Sequence, residues 1–513
     1  MRLALVFGVI GHLLRRFSFA FLVPFVMASW DLVSQHDPST DEVTFGVTTW
    51  LSPVSFVAAG LATALVGAVM GRWFRAGPVF RRSEALAVVA GAWIGVAGCG
   101  AIPYLFAGLT PVNAFFESLS GFTTTGATIL TDFSAYDRAF YLWRAMTQWF
   151  GGLGVIALFI VVLPRLGIAG RQIFFAEASA AAGEAVSPQV RESSRRLWIL
   201  YVCLTGLQTI VLMFTGFGFY DAVVHSFTTL SAGGFSPHPQ SIQGYLNPAA
   251  EWVFIVFMVL SGTSFTLQYR AFTGRPLSFF RDREFMTYFG VMLMFSLLAG
   301  ALLVGGLPTL DTLRTGTFQI ASLMSSTGYA SADFEQWSDA LKTVLVLAMV
   351  VGGCAGSACG GPKVIRYILS AQWLGRELTQ VLHPRAVIPI RYGRITIPMN
   401  VMRAVTTLVF LFIIGYAAVG ATLVIVEPNL DMVTGFSAAL ACLANIGPAF
   451  GFAGPMGSYD GFSDAGKLLL ALSMWLGRLE IVTVIALFHP HVWRNYRWRG
   501  DMPGRLQDPP QIG

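Results

Sequence analysis

Residues 111–127 read PVNAFFESLSGFTTTGA, a short apolar segment running into three threonines and a glycine. The apolar part, Pro111 to Leu119, is far shorter than the roughly 20 residues needed to span a hydrocarbon core. A half-spanning helix followed by Thr, Ser and Gly is what a re-entrant loop requires. Irregular backbone persists at membrane depth only where protein buries it or where it lines an aqueous cavity, because lipid cannot satisfy its amides and carbonyls. Glycine permits the dihedrals that point successive carbonyl oxygens the same way. A ring of such oxygens can replace the hydration shell of a monovalent cation. The short helix would aim its negative C-terminal end at the same point, which favours a cation there.

The pattern recurs three times. Phe219 to Thr229 leads into Phe227-Thr-Thr-Leu-Ser-Ala-Gly-Gly234-Phe235, Asp311 to Met324 into Ser-Ser-Thr-Gly328-Tyr329, and Asp431 to Leu443 into Ala-Asn-Ile-Gly447-Pro448. The glycines return at intervals of roughly a hundred residues, a period that marks an internal repeat. From Glu84 onward each unit reads as a long apolar helix, a Gly/Thr/Ser-rich connection, a second long apolar helix and a basic loop. One such connection alone is ordinary small-residue packing between membrane helices. Four at one topological position imply a pseudo-fourfold assembly within one chain, around a shared cation pathway.

Composition agrees with a polytopic α-helical membrane protein. Of 513 residues, 55% are hydrophobic and 12% charged, about half the charge of a soluble domain. Runs such as Ala85 to Phe106, Trp198 to Phe214 and Val401 to Val426 approach the length of a span. An outer-membrane barrel would instead alternate polar and apolar residues over about ten positions. Arg2, Arg15 and Arg16 precede the apolar stretch Phe17 to Trp30, which reads as a retained first helix, since no small-x-small cleavage site follows. The five cysteines lie in apolar or Gly-rich stretches, and Cys354 and Cys359 lack the further ligands that a metal would need.

Charge is distributed unevenly between the connections. Arg72, Arg75, Arg81, Arg82, then Arg165, Arg171, Arg191, Arg195, Arg196, then Arg270, Arg275, Arg281, Arg283, then Lys363, Arg366, Arg376, Arg385, Arg391, Arg394, Arg403 and finally Arg494, Arg497, Arg499 and Arg505 make up one set. The alternate connections carry Asp37, Asp41, Glu42, Asp132, Asp137, Asp221, Asp333, Glu335, Asp460 and Asp464. By the positive-inside rule the first set is cytoplasmic and the second, with the Gly-rich loops, faces outward. The net charge of +6 therefore reports topology, and no aromatic-basic surface supports a nucleic-acid reading.

These loops, with Trp149-Phe-Gly-Gly-Leu-Gly154, Gly352-Gly-Cys-Ala-Gly-Ser357, Lys363-Val-Ile-Arg366 and Gly477-Arg-Leu-Glu480, resemble the Trk/Ktr/HKT superfamily of potassium transporters, in particular the membrane subunit of the bacterial Trk uptake system. The resemblance covers the chain after its first two helices. It implies an all-α fold of two extra N-terminal helices (1–83) and four M1-P-M2 repeats (84–196, 197–283, 284–400 and 401–490), giving ten spans, followed by a cytoplasmic tail (491–513). It also implies a homodimer with one pore per protomer. The implied filter comprises Thr124, Thr125 and Gly126; Ala232, Gly233 and Gly234; Thr327 and Gly328; and Asn445, Ile446 and Gly447. K⁺ would be held at Thr125, Gly126, Gly233, Gly234, Thr327, Gly328, Ile446 and Gly447. In this family four filter glycines go with K⁺, and a first-loop serine in some plant relatives goes with Na⁺. The pair Gly233-Gly234 leaves a choice of register, settled toward Gly234 because each other glycine is followed at once by a distinct residue entering the exit turn.

Gly352-Gly-Cys-Ala-Gly-Ser-Ala-Cys-Gly-Gly361 interrupts the apolar stretch of the third repeat. Each glycine costs a helix about 1 kcal/mol relative to alanine, so the helix should break there, and Pro362 strengthens the break. The resemblance makes this the gate, an intramembrane loop below the filter with Gly352, Gly353, Gly356, Ser357, Gly360 and Gly361. Ala358, Cys359 and Pro362 stand where typical relatives are expected to carry Thr-Gly and Ile. Arg478 lies within the last long apolar helix, where an unpaired charge costs about 2.5 kcal/mol or more. It should face the pore or an acidic partner, and Glu480, two residues on, points elsewhere on a helix. The family places an arginine here as an electrostatic barrier. Arg144 and Lys342 lie near helix starts and read as residues that snorkel to the interface.

The chain carries no phosphate-binding loop or dinucleotide fingerprint, so nucleotide control would come from another protein. The resemblance implies a TrkA-like cytosolic ring of RCK domains that binds ATP/ADP or NAD and docks on the basic loops. A secondary transporter would show inverted repeats, whereas here every Gly-rich loop lies on the acidic side. An enzyme needs a nucleophile with a base or metal ligands, and His225 and His238 beside the second loop lack such partners. The reading is therefore non-enzymatic potassium uptake across the inner membrane. Filter residues alone leave a gated channel and H⁺ or Na⁺ symport both open.

Overall fold

The structure, a computed structural model, describes residues 2–34, 43, 45–72, 82–157, 188–393 and 395–493. Asp37, Asp41, Glu42, Arg75, Arg81, Arg165, Arg171, Arg394, Arg494, Arg497, Arg499, Arg505 and the tail from 494 lie outside the described residues, as do the side chains of Arg82 and Arg191. Among the described residues six helical segments are long and apolar enough to cross a membrane, including Leu3–Ser34 and Leu51–Gly71 before the repeats. Two helix pairs, Pro248–Ser261 with Phe265–Phe272 and Asp464–Arg478 with Ile481–Phe488, are long and apolar enough together, each bent by 109° at a short break. The N-terminal helices approach closely: a side chain at Gly67 would collide with the backbone of Gly11 and Arg15. Small residues at such crossings let membrane helices pack backbone to backbone.

The four repeats follow in order. Their first helices are Arg82–Gly100, Pro188–Phe214, Arg283–Val304 and Met399–Val426, starting two, nine, one and two residues ahead of positions 84, 197, 284 and 401. Their short helices are Pro111–Phe122, Phe219–Leu230, Leu310–Met324 and Met432–Leu443. Their second helices are Arg138–Ala157, the bent pair from Pro248, Asp339–Val351 and the bent pair from Asp464. In the third repeat a buried loop separates Asp339–Val351 from Val364–Leu382. Two residues each of Arg391–Tyr392 and Ile395–Thr396 pair as a small hairpin before the fourth repeat.

Local chemistry explains where the short helices begin. Thr110, Thr309 and Asp431 accept hydrogen bonds from the amides of Asn113, Thr312 and Thr434, which caps their helices. Pro111 occupies the first turn, where its missing N–H goes unneeded. The helices then run inward with their C-terminal halves buried, while Phe410, Ile413, Ile414 and Ile425 of the last M1 helix stay exposed on the outer face.

Arg144 does not snorkel. It is 2% exposed and pairs with the fully buried Glu117 of the first short helix, Nη2 lying 2.7 Å from Oε1. Glu117 also accepts from Thr128 Oγ1 at 3.1 Å and from the Ile129 amide at 3.0 Å. The expectation failed because the helix beginning at Arg138 carries Arg144 inward on its buried face, toward a carboxylate on another element. Lys342 pairs with Glu335 at 2.7 Å in a more open setting. Breaking a buried pair strands one charge, at about 3–5 kcal/mol. Arg144→Met should therefore lower the melting temperature in detergent markedly, and Arg144→Met/Glu117→Met should recover much of the loss.

Candidate functional site

All four short helices end in the same way. After Thr123, Ser231, Ser325 and Ala444, the residues Thr124, Ala232, Ser326 and Asn445 adopt left-handed backbone, with φ of 51°, 57°, 52° and 53°. The next amides, of Thr125, Gly233, Thr327 and Ile446, turn back to the carbonyls of Ser120, Thr228, Ser322 and Ala441 at 2.8 to 2.9 Å. This is the helix-ending bond of a Schellman motif. One residue later Gly126, Gly234, Gly328 and Gly447 again have positive φ, of 82°, 74°, 84° and 103°. Gly234 thus occupies the position of the other three glycines.

The four loops meet in a closed ring. A Cβ at Gly126 would come within 3.0 Å of the carbonyl oxygen of Gly233, and one at Gly234 would do the same to that of Thr327. Gly328 stands in this way against Ile446, and Gly447 against Thr125. Each repeat therefore packs its glycine on the carbonyl preceding the next repeat's glycine, and the fourth closes on the first. Thr123 shares a 2.8 Å hydrogen bond with Thr125, and Ser325 shares one of 2.7 Å with Thr327. Asn445 Nδ2 crosses between repeats to donate to Thr125 Oγ1 at 2.9 Å. All the predicted filter residues lie in these four loops. Ser326 belongs with them but went unnamed, although aligning the third loop on Thr124 would have found it.

All four glycines open onto a vestibule of about 510 Å³, also lined by Arg144, Ser236 and His238. The nearby acids have local structural work. Asp132 accepts from the amide and hydroxyl of Ser134 at 2.9 and 2.6 Å, which holds its carboxyl below the usual range. Asp333 caps the turn Phe334–Gln336, and Asp221 accepts from Tyr245 Oη at 2.9 Å. His225 is buried between the Asp221 carbonyl and Ser236 Oγ.

On the other side of the ring lies the loop between Val351 and Val364. Gly352, Gly356 and Gly361 take positive φ, as does Lys363. The loop is tied to its surroundings at several points. Cys354 N and Ala358 N donate to the carbonyls of Gly262 and Ser261, and Phe265 N donates to that of Gly356. Gly360 N donates to Ser326 Oγ at 2.8 Å, and Cys359 Sγ donates to the Ser325 carbonyl at 2.7 Å. These last two fasten the loop to the third ring segment. Gly353 and Gly360 stand so close to Gly262 O and Ala444 O that neither admits a Cβ. Ser357 Oγ bonds within the loop, to the Cys354 carbonyl.

Arg478 is 5% exposed at the end of Asp464–Arg478. Its Nη1 donates to the Ala358 carbonyl at 2.8 Å and its Nη2 to the Gly151 carbonyl at 3.4 Å, so it bridges the loop and the second helix of the first repeat. The helix breaks just beyond it, at Glu480 with φ 61°, and Glu480 pairs with Arg366 instead. Lys363, counted among the cytoplasmic basic residues, is 5% exposed and donates to the Cys359 carbonyl within the loop. Its charge suits an interface, but the loop's positive-φ exit turns it inward. Glu284 is a further residue that sequence reasoning missed. Buried at the start of Arg283–Val304, it accepts from the amides of Ala355 at 2.7 Å and Ile365 at 3.1 Å, clasping both ends of the loop. It had no distinct signal in the sequence, since Glu284 follows Arg281-Asp-Arg283 in a run of mixed charge. Among the described residues no cluster of His, Cys, Asp and Glu is arranged to hold a metal ion.

Comparison with known proteins gives a consistent result. Residues 54–494 match the family model described as TrkH, cation transport protein. The Trk system potassium uptake protein TrkH of Halomonas elongata is 34% identical over 96% of this chain and 100% of its own length. That of Escherichia coli K12 is 34% identical over 80% of this chain and 86% of its own. The crystal structure of the potassium transporter TrkH from Vibrio parahaemolyticus superposes with a TM-score of 0.84 at 30% identity, covering 96% of this chain and 100% of that one.

The Glu284 clasp is open to direct measurement. Leaving a buried amide without its acceptor costs about 1–3 kcal/mol, so Glu284→Leu should speed amide exchange at Ala355 and Ile365 by about tenfold or more. Hydrogen–deuterium exchange read by mass spectrometry checks this, with the ring segments 120–126 and 441–447 unchanged as the internal control.

Proposed function

The chain belongs to the TrkH family of cation transport proteins, and from that premise we propose that it carries K⁺ into the cell through the ring of Gly126, Gly234, Gly328 and Gly447. The observation that carries the reading is the closed ring itself, each glycine packed on the carbonyl of the next repeat. Carbonyl oxygens held around one axis substitute for the water that a K⁺ sheds. The four short helices direct their C-terminal ends at the same axis and stabilise a cation there.

In this reading the protein sits in the inner membrane with the vestibule toward the periplasm, as the positive-inside rule orients the basic connections. The loop Gly352 to Lys363 and the Arg478 guanidinium lie across the path beneath the ring and form the gate. Arg478 both holds the loop, through Ala358, and places a positive charge on the route of the ion. Conduction then requires the loop and the arginine to move together. A cytosolic TrkA-like RCK protein carrying ATP/ADP or NAD, docked on the basic loops of a homodimer, supplies that work.

Flux into liposomes holding the purified protein, with K⁺, Rb⁺ and Na⁺ compared under an imposed voltage, tests the reading. K⁺ and Rb⁺ should enter well ahead of Na⁺. Gly126→Ser adds a side chain where the Gly233 carbonyl stands and should cut K⁺ over Na⁺ discrimination, whereas Arg478→Ala should raise flux in the absence of a partner. No flux with the partner added, and none with residues 352–361 shortened, would remove the pore reading.

A further inference from the structure

The second loop has two consecutive glycines where the others have one. Gly234 has the positive φ of its counterparts, and its Cβ position is taken by the Thr327 carbonyl. Gly233 is a different case. Its φ lies outside the left-handed region, so its backbone conformation does not call for glycine. The equivalent positions hold Thr125, Thr327 and Ile446, all with side chains. What occupies the Cβ position of Gly233 is the amide of Gln148, whose Cδ, Oε1 and Nε2 would all come within 3.0 Å of an added Cβ.

Gln148 lies on the second helix of the first repeat and is fully buried. Its Nε2 donates to the Gly233 carbonyl at 2.7 Å, and its Oε1 accepts from the Phe235 amide at 3.0 Å, so one side chain brackets Gly234 from both sides. One helical turn earlier Arg144 Nη1 donates to the Ser236 carbonyl at 3.2 Å, which anchors the same loop. The Gly233 carbonyl is the ring oxygen against which Gly126 packs. Among the described residues, no side chain donates to the equivalent carbonyls of Thr125, Thr327 or Ile446.

We propose that Gln148 is a specificity-determining positioning residue of the pore: its amide stands in for the side chain missing at position 233 and pins one of the four ring carbonyls. This rests on the K⁺-pathway reading above. A carbonyl oxygen has two lone pairs. Gln148 takes one and leaves the other for the ring, and the donated hydrogen bond polarises the C=O toward the ion. Na⁺ is smaller than K⁺ and draws its ligands closer, a displacement that a pinned carbonyl resists. The ring is fourfold in backbone but has one oxygen held from behind.

The test is a double-mutant cycle in liposomes, reading the Rb⁺ to Na⁺ flux ratio of the full-length protein. Gln148→Met keeps the length without the hydrogen bonds and should lower the ratio about fivefold or more, the equivalent of one net hydrogen bond of about 1 kcal/mol. Gly233→Ala should abolish selective flux in the otherwise native chain, yet add nothing further in the Gln148→Ala background, where the space is free. A native ratio in Gln148→Met overturns the proposal, as does an equal cost of Gly233→Ala in both backgrounds. Either result leaves the pore reading intact if the native protein is K⁺-selective. No K⁺ flux through the variant that differs from the native protein only in its shortened gate loop overturns both.

Discussion

The structure depends on satisfying irregular backbone where no water is available to do it. At the end of each short helix the amides of Thr125, Gly233, Thr327 and Ile446 are turned back onto carbonyls of the helix itself. That bond uses the donors and leaves the acceptors of the same residues packed around the ring, each against the glycine of the preceding repeat. A peptide that spent its carbonyls in a ladder would have none left for a cation. Hydroxyls complete the arrangement from the outside: Ser120 donates to the Ala127 carbonyl and Ser322 to that of Tyr329, at 2.6 and 2.7 Å, holding the exit turns of repeats one and three. The same constraint explains why the four loops contact one another rather than lipid, since each needs its neighbour to bury what it leaves open.

Beneath the fourfold ring the molecule is not fourfold. Second helices bend by 109° in repeats two and four, and the third gives way to a loop. The loop's ties to Ser261, Gly262, Phe265, Ser325, Ser326, Glu284 and Arg478 come from three different repeats. At about 0.5–1.5 kcal/mol net for each bond, with its exchange for water already counted, displacing the loop costs on the order of 4–10 kcal/mol. Reversing a 1:99 population takes about 5.5 kcal/mol of differential binding. The loop's own bonds thus set the scale of work that moving it requires.

Sequence carried the repeat, the half-length helices and the glycine register, because these follow from bilayer thickness and from the spacing of one residue type. Gly234 was distinguishable from Gly233 on the run of the chain alone. The burial of Arg478 was legible as well, since a charge in an apolar helix must find polar company. What it finds, the carbonyls of Ala358 and Gly151, was not legible, because both lie more than a hundred residues away. Arg144 misled for the same reason: its partner Glu117 sits on another element, and position along a helix says nothing of that. Glu284 and Lys363 were hidden by their neighbours, Glu284 in the mixed run Arg281-Asp-Arg-Glu284 and Lys363 in a basic segment with Arg366, both of which read as surface connections. The helix break at Glu480 left no Gly or Pro beyond Gly477 to announce it.

The ring also separates two reasons for glycine that usually occur together. Each loop has two positions of positive φ, and strain alone would predict glycine at both, since an L-residue there costs roughly 1–2 kcal/mol. The first position holds Thr124, Ala232, Ser326 and Asn445, and the second is glycine in every repeat. The difference is space. At the first position the side chain has room, and Ser326 and Asn445 use it to bond the loop between Val351 and Val364 and the first repeat. At the second, the next repeat's carbonyl oxygen occupies the place of the Cβ. Strain is therefore tolerated four times over, whereas the close approach admits no side chain, and Gly233 extends the rule to a glycine without strain whose Cβ position is taken by Gln148. The glycines mark where backbone meets backbone or amide, and the ring closes only because none of them carries a Cβ.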